Sequence, residues 1–247
     1  RFIMDDYVVK QGRTRLTLSF EQAQSLFVIV SPEKSTAQVL NNNPLRHLQV
    51  LDSPWNVSFI RGAKKAAPLV LNELTDLSAN ENEDVKYFSG TVHYQTEFEL
   101  TKDLQKSQNY LLDLGNVFQF ARVRLNGEDL GLRMWAPYHF DISNIIRDGN
   151  NRLEIEVTNL WPNRLIGDER LYPETASWKK NGYQGFQLDS FPSWLSGSAP
   201  QQPRARSTFA TWKHWSKDDE LLSSGLLGPV SIMVQDKNET RNRGRVD

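Results

Sequence analysis

Residues 123–159 read VRLNGEDLGLRMWAPYHFDISNIIRDGNNRLEIEVTN, and they hold the clearest structural signals in the chain. Asn126-Gly127 is the strongest short signal of a β-hairpin, because both central positions of a type I′ turn need φ > 0. Residues 153–158 alternate apolar and polar side chains, as a half-buried strand does. The stretch therefore predicts antiparallel strands joined by tight turns.

The same alternation continues on both sides of this stretch. Residues 91–100 place Val92, Tyr94, Thr96, Phe98 and Leu100 on one face, because side chains of a strand alternate between its two faces. Further short strands are predicted at residues 48–51, 55–60, 110–114, 120–125 and 230–234. Many short strands with turn residues between them, and almost no helical periodicity, predict an all-β fold. We expect an antiparallel β-sandwich of the jelly-roll type.

Composition excludes several classes of protein and of site. With 29 Lys+Arg against 30 Asp+Glu, the net charge of −1 gives no electrostatic footprint for nucleic acid or an anionic membrane. No apolar run approaches the roughly 20 residues that span a bilayer. The absence of cysteine excludes disulfides, thiolate metal sites and cysteine nucleophiles. We therefore expect neither nucleic acid nor a membrane among the partners.

The N-terminal part is predicted to belong to a different structural unit. Residues 15–19 alternate like a strand, and residues 26–30 form a continuous apolar run that predicts a buried strand. Residues 41–44 (NNNP) are the best linker candidate in the chain. The chain also begins within a strand-like pattern and without methionine, as a piece of a longer protein would. We expect residues 1–50 to be the end of a preceding β domain.

The sandwich is predicted over residues 51–235, with a long aromatic loop at residues 161–207. Six of the seven tryptophans lie between residues 135 and 215, a range that includes this loop and the segments on both sides of it: Trp135, Trp161, Trp178, Trp194, Trp212 and Trp215. Loops of this length are usually functional or disordered, and the aromatic content argues against disorder. We expect the loop to pack over another surface. Residues 236–247 are almost wholly polar and are predicted to form a disordered tail.

Several of these motifs resemble those of glycoside hydrolases. Residues 123–159, with Asn126-Gly127, Gly131, Pro137 and the run Phe140-Asp141-Ile142-Ser143, resemble the galactose-binding-like, sugar-binding jelly roll of family 2 glycoside hydrolases. Three later motifs are similar to the C-terminal region of family 106 glycoside hydrolases, which are α-L-rhamnosidases. They are WPNRLIGDE at residues 161–169, RSTF at 206–209 with Trp212, and SSGLLGPV at 223–230. The resemblance covers residues 54–234.

The resemblance implies a non-catalytic part of a larger enzyme. In the rhamnosidase family, the catalytic carboxylates and an associated calcium site lie in an upstream (β/α) barrel, and its alternating strand–helix pattern is absent from this sequence. The implied partner is that barrel, and the implied ligand is a plant polysaccharide or a rhamnose-containing glycan. No cofactor is required by this interpretation. Export to the periplasm or the extracellular space is implied as well.

Asp168 and Glu169 form the most suggestive carboxylate pair. Glycoside hydrolysis usually needs two carboxylates that face each other across a cleft, about 5–9.5 Å apart. Adjacent residues generally project in different directions, so we expect one of them to pair with Arg164 or Arg170 and pin the loop. No catalytic residue is therefore assigned. A structural calcium ion bound by loop oxygens is a further prediction, with turn-capping as the alternative for its candidate ligands, which are Asp113, Asp141 and Asp148.

Aromatic side chains carry the binding hypothesis. Exposed rings stack on the apolar C–H faces of sugars while polar neighbours bond the hydroxyl groups. The candidate glycan-binding residues are Trp161, Asn163, Arg164, Trp178, Tyr183 and Trp194. The alternatives are that these rings fill the interface with the barrel or pack locally, since aromatic residues dominate such contacts. Three functions stay open: a scaffold domain, an autonomous carbohydrate-binding module and a self-sufficient glycosidase.

Overall fold

The computed structural model describes residues 2–3, 7–18, 20, 25–30, 38–39, 43–62, 65–173, 177–182, 185–191, 193, 196–198, 206, 208 and 210–237. The strands are β1 (Phe2–Ile3), β2 (Tyr7–Lys10), β3 (Arg13–Leu16), β4 (Gln38–Val39), β5 (Arg46–Val50), β6 (Trp55–Gly62), β7 (Leu69–Leu71), β8 (Gly90–Glu99), β9 (Gln108–Asp113), β10 (Asn116–Phe118), β11 (Phe120–Leu125), β12 (Glu128–Arg133), β13 (His139–Asp141), β14 (Asn150–Thr158), β15 (Trp178–Lys180), β16 (Phe186–Leu188), β17 (Gly225–Gly228) and β18 (Ser231–Asp236). The helices are α1 (Glu83–Lys86) and α2 (Pro162–Leu171), with a 3₁₀ turn at Leu77–Ala79.

Two antiparallel sheets form a β-sandwich. The six-stranded sheet has the order β12-β11-β14-β8-β6-β7, and the four-stranded sheet has the order β13-β9-β18-β5. One buried apolar cluster joins them, with Val92, Tyr94 and Ile155 from the first sheet and Leu112 and Ile232 from the second. The predicted all-β antiparallel sandwich is confirmed.

The strands with the clearest alternation lie at the centre of the six-stranded sheet. In β8, Val92, Tyr94, Thr96 and Phe98 are buried, as the sequence predicts. β14 pairs with β8 in antiparallel register, so that Ile155 lies opposite Tyr94. The alternation of apolar and polar residues predicts these strands correctly, because one face of each strand packs on the core while the other faces solvent.

The predicted hairpin joins β11 to β12 through Asn126 and Gly127, which have φ angles of 53° and 87°. The Asn126 side chain also ties the hairpin to its surroundings. Its Nδ2 donates to the Ile145 carbonyl (3.0 Å) and to Asn151 Oδ1 (2.9 Å), and its Oδ1 accepts from the Arg152 amide (3.0 Å). The turn signal predicts the hairpin, whereas these long-range bonds depend on the assembled sheet.

The N-terminal strands differ from the predictions. The buried strand predicted at residues 26–30 is wrong, because this run forms no strand and Phe27 and Val30 are 96% and 90% exposed. An apolar run shows only that burial would be favourable, and no described residue covers this one. The strand predicted at residues 15–19 lies instead at Arg13–Leu16, in a hairpin with β2.

Both ends of the sandwich extend beyond the predicted residues 51–235. β5 lies before residue 51, yet it is the edge strand beside β18. Asp236 ends β18 and receives a hydrogen bond of 2.7 Å from the Arg46 guanidinium, so it belongs to the sandwich rather than to the tail. Residues 238–247, predicted to be disordered, lie outside the described residues.

The segment predicted as the aromatic loop begins with helix α2 over its first ten residues. Pro162 stands in the first turn, where its missing N–H costs nothing and its fixed φ suits a helix. A loop over the whole of residues 161–207 is therefore wrong. No helix among the described residues is long and apolar enough to cross a lipid bilayer.

Candidate functional site

Helix α2 carries most of the residues that the sequence singles out. It follows β14 directly and packs against the sandwich at Gly167, where a Cβ atom would lie 2.4 Å from Tyr87 Cγ. The guanidinium carbons of Arg164 and Arg170 lie 5.7 and 6.0 Å from the centre of the same Tyr87 ring. Glycine at residue 167 thus allows the helix to lie directly on an aromatic ring that is flanked by two cations.

Asp168 is wholly buried within this packing. Arg164 Nη2 lies 2.7 Å from Asp168 Oδ1, and both side chains are at most 2% exposed. The backbone amide and the hydroxyl group of Thr208 donate to Asp168 Oδ2, at 3.0 and 2.7 Å. The aspartate therefore pairs with one of the two arginines that the sequence predicts, and it also holds a residue forty positions further along the chain.

Glu169 makes a second set of connections. Its carboxylate forms an ion pair with the buried guanidinium of Arg206 and lies 3.3 Å from Lys213 Nζ. We call the ion-paired and hydrogen-bonded set around α2 the helix network, and its members are Arg164, Asp168, Glu169, Arg206, Thr208 and Lys213. The network fastens the later part of the chain onto the helix through charge-assisted bonds.

Two further side chains of α2 bind the backbone around residues 217–222. Asn163 donates to the Leu222 carbonyl (2.6 Å) and accepts from the Leu222 amide (2.8 Å). Arg170 donates to the carbonyls of Lys217 and Asp219, at 2.8 and 2.7 Å. These bonds fix residues 217–222 to α2, which itself packs against the sandwich.

The two carboxylates do not face each other across a cleft. Each is neutralised by its own guanidinium, and the cavity beside Glu169, among Trp178, Trp212 and Trp215, has a volume of only about 10 Å³. A space of that size holds about one water molecule. The arrangement therefore suits fastening of the chain, and it offers no room for a glycosidic bond between the two carboxylates.

The predicted glycan-binding residues are placed in different environments. Trp161 is 54% exposed just before α2, whereas Asn163 and Arg164 are 3% and 1% exposed and are engaged within the protein. Trp178 is half-buried; Lys213 Nζ lies 5.9 Å from its ring, and its Nε1 has no hydrogen-bond partner among the described residues. Tyr183 and Trp194 lie outside the described residues. Glycan binding by this set stays a prediction.

Large apolar side chains are exposed at one end of the six-stranded sheet. Ala121 lies opposite Arg133, and Phe120 lies opposite Thr158, so the residues that follow β12 and β14 emerge at the same end of the sheet, on either side of β11. Adjacent strands are about 4.8 Å apart, so β12 and β14 are about 10 Å apart. We call this surface the apolar end, and it consists of Met134 (48% exposed), Trp135 (66%), Leu160 (41%), Trp161 (54%) and Leu222 (40%).

Two of the candidate calcium ligands cap turns, and the third joins two separate loops. Asp113 accepts from the Gly115 amide, Asp141 from the amide and hydroxyl of Ser143, and Asp148 from the Leu104 amide. Burial raises the pKa of Asp113, but hydrogen bonds from His139 and Gly115 outweigh burial and leave that pKa below its usual value. No group of three or more His, Cys, Asp or Glu side chains suited to a metal ion occurs among the described residues. Calcium binding stays a prediction.

The partners of α2 are what sequence reasoning misses. The sequence singles out Arg206 and Thr208 only as parts of a motif, and it gives no role to Tyr87 or Lys213. A signal does exist, because Gly167 interrupts a helical stretch and charged residues recur in a segment rich in aromatics. The pairing of these features requires contacts over about forty residues or more, which spacing along the chain does not reveal.

Comparison with known proteins identifies the central part of the chain. Residues 67–187 match the family described as glycosyl hydrolase 2 galactose-binding domain-like. The chain therefore contains a galactose-binding-like domain of the kind found in glycoside hydrolases, as the motifs in residues 123–159 predict.

Two longer proteins are similar to most of the chain. A protein of Formosa agariphila named "Putative beta-glucuronidase" is 46% identical over 186 residues, which are 75% of this chain and 15% of that protein. The solved structure of a rhamnosidase from Novosphingobium sp. PP1Y matches with a TM-score of 0.61 and 31% identity, over 82% of this chain and 16% of that chain. The chain thus spans about one sixth of the length of these relatives.

Proposed function

We propose that this chain is a non-catalytic, carbohydrate-binding-like domain of an α-L-rhamnosidase-type glycoside hydrolase, and that it acts mainly as a scaffold for the catalytic barrel. The observation that carries the proposal is the apolar end, where two tryptophans and three other large apolar side chains are exposed at the same end of the sheet. Exposed apolar patches of this kind mark interaction sites, and aromatic residues are enriched in them. The likeness to a much longer rhamnosidase supports a domain within a larger enzyme.

The helix network supports the same role. Trp161 immediately precedes α2, and the helix is fixed to the sandwich by Gly167 and to the following chain by Asp168 and Glu169. An anchored helix presents Trp161 in a defined direction, so that less conformational entropy is lost when a second domain binds there. In this proposal the parent enzyme acts on rhamnose-containing plant glycans in the periplasm or outside the cell.

The parent enzyme provides the test. The double substitution Trp135→Ser/Trp161→Ser is expected to lower the thermal stability of the barrel and to reduce hydrolysis of an aryl α-L-rhamnoside several-fold, while the circular dichroism spectrum of the isolated chain stays unchanged. Phe186→Ser is the matched control, because Phe186 is 48% exposed but lies on β16 rather than at the apolar end. Equal effects of the double substitution and the control would contradict the proposal.

An autonomous carbohydrate-binding module is the second candidate. The observation in its favour is the group of Trp178, Trp212 and Trp215 beside Lys213 and His214, which brings rings and polar groups together. A glycan array with the isolated chain, with and without calcium, distinguishes the two. Binding that is lost in Trp161→Ala or Trp178→Ala would favour the module. A self-sufficient glycosidase, the third candidate, requires the isolated chain to hydrolyse the aryl rhamnoside, and we expect no hydrolysis.

A further inference from the structure

The outward face of the six-stranded sheet carries polar side chains in two cross-strand rows. The strand register places Asn56 beside Gln95, followed by Glu154 and Arg124. The next row runs from Ser58 through His93 and Glu156 to Arg122. These rows cross β6, β8, β14 and β11, so this face is polar from near one edge of the sheet to near the other.

Most charges on this face are already paired. Arg152 Nη2 lies 2.6 Å from Glu154 Oε1, Arg124 Nη1 lies 4.0 Å from Glu156 Oε1, and Arg122 forms an ion pair with Asp129. Because these charges already have partners, the charged part of the face does not favour a charged ligand.

The β6 end of the rows is different. The side chains of Asn56 and Ser58 have no hydrogen-bond partner among the described residues, and Gln95 uses its Oε1 to accept from Arg152 (3.2 Å), so that its Nε2 is unpartnered within the same set. His93 Nε2 lies 3.9 Å from Glu154 Oε2. Donors and acceptors with unused capacity are thus concentrated on two neighbouring strands.

These groups line a surface cavity of about 220 Å³. Its polar side is formed by Asn56, Ser58, His93 and Gln95, and its apolar side includes Pro68 and Val70 from the edge beside β6. Pockets for drug-sized ligands measure about 300–1,000 Å³, so this one suits a single ring rather than an extended chain. We call it the sheet pocket.

We propose that the sheet pocket binds one uncharged pyranose unit. A sugar hydroxyl both donates and accepts, and the Asn, Gln and Ser side chains of the pocket can match either role. The apolar side contacts the C–H face of the ring, as apolar linings do in ligand sites that use a few polar groups for orientation. The described residues that line the pocket include no Lys or Arg, and Glu154 lies near His93, so the pocket favours a neutral sugar over a uronic acid.

The proposal goes beyond the scaffold role, because the sheet pocket and the apolar end consist of different residues. Binding is measured on the complete 247-residue chain by ¹H–¹⁵N NMR titration with methyl α-L-rhamnopyranoside and, separately, with sodium methyl β-D-glucuronide. We expect the rhamnoside to shift the side-chain amide signals of Asn56 and Gln95 and the backbone signals of Ser58 and His93. The glucuronide is expected to bind about tenfold more weakly or not at all.

Substitutions assign the binding to the pocket. Asn56→Ala and Gln95→Ala are each expected to weaken rhamnoside binding about tenfold. Asn150→Ala is the control, because Asn150 is an exposed amide on β14 of the same sheet but does not line the pocket. The proposal is overturned if neither sugar shifts the pocket signals, if the glucuronide binds as tightly as the rhamnoside, or if the two pocket variants bind like the control variant while remaining folded.

Discussion

Asp168 shows how a single buried carboxylate can organise a segment of the chain. Removing an ion pair from water is costly, and the cost is met only when the geometry is good and the remaining lone pairs are bonded. Thr208 meets the second condition at one carboxylate oxygen by donating to it twice, and Arg164 Nη2 lies 2.7 Å from the other oxygen as its counter-charge. The pair therefore fixes which part of the chain lies on α2.

Asp168→Asn is expected to destabilise the chain by about 3–5 kcal/mol, since it leaves the Arg164 guanidinium buried without its counter-charge. The free energy of unfolding is measured by urea denaturation. The control is Asp189→Asn, which breaks an ion pair of 3.3 Å with Lys179 whose two side chains are about half exposed. An exposed pair contributes about 0–1 kcal/mol. Similar losses in the two variants would mean that the Asp168 pair is no more important than a surface contact.

Sequence reasoning reaches only part of this site. It predicts that Asp168 or Glu169 pairs with Arg164 or Arg170, but it places them in a loop and misses the helix that sets Arg164 and Asp168 four residues apart on one face. It cannot predict that Thr208 and Arg206 complete the network, since that contact depends on the path of the intervening chain. The sheet pocket is equally inaccessible, because strand register decides which side chains become neighbours.

At the scale of elements, α2 shows why strands are predicted here more reliably than helices. β8 and β14 bury one face against the core, so their sequences alternate with a period of two. α2 instead buries Asn163, Arg164, Asp168 and Glu169, so the apolar stripe with a period of 3.6 is missing. Gly167 weakens the signal further, because glycine lowers helix stability by about 1 kcal/mol relative to alanine. The helix depends on tertiary contacts more than on local preference.

The packing of α2 can be tested at Gly167. By helix propensity alone, Gly167→Ala should stabilise α2 by about 1 kcal/mol. The added Cβ would lie 2.4 Å from Tyr87 Cγ, however, so we expect a net loss of about 1–3 kcal/mol in the free energy of unfolding.

A double-mutant cycle identifies the cause of that loss. In the Tyr87→Ala background the ring is absent, and Gly167→Ala should then be neutral or stabilising. A loss of the same size in both backgrounds, measured by urea denaturation, would show that the substitution acts on something other than the contact with Tyr87.

At the scale of the whole molecule, the limits of the sandwich are set by strand pairing rather than by turn residues. Residues 41–44 resemble a linker and lie close to where the sandwich begins, but the predicted boundary at residue 51 excludes β5. β5 adds a strand to the four-stranded sheet, and Leu48 packs against the core. A short strand at the edge of a sheet carries a weak sequence signal, because only its partner shows that it belongs there.

This arrangement predicts opposite results for two deletions. Among the described residues, β1 to β4 pair only with one another and join neither sheet of the sandwich, whereas Asn43 and β5 bond to the strand that ends at Asp236. Removing residues 1–42 should therefore leave the melting temperature of the sandwich unchanged. Removing residues 1–50 exposes the edge of β18 and the core beside Leu48, and should lower the melting temperature by about 5–15 °C. Near-ultraviolet circular dichroism during heating measures both. A large loss already in the first deletion would mean that the N-terminal strands are part of the sandwich.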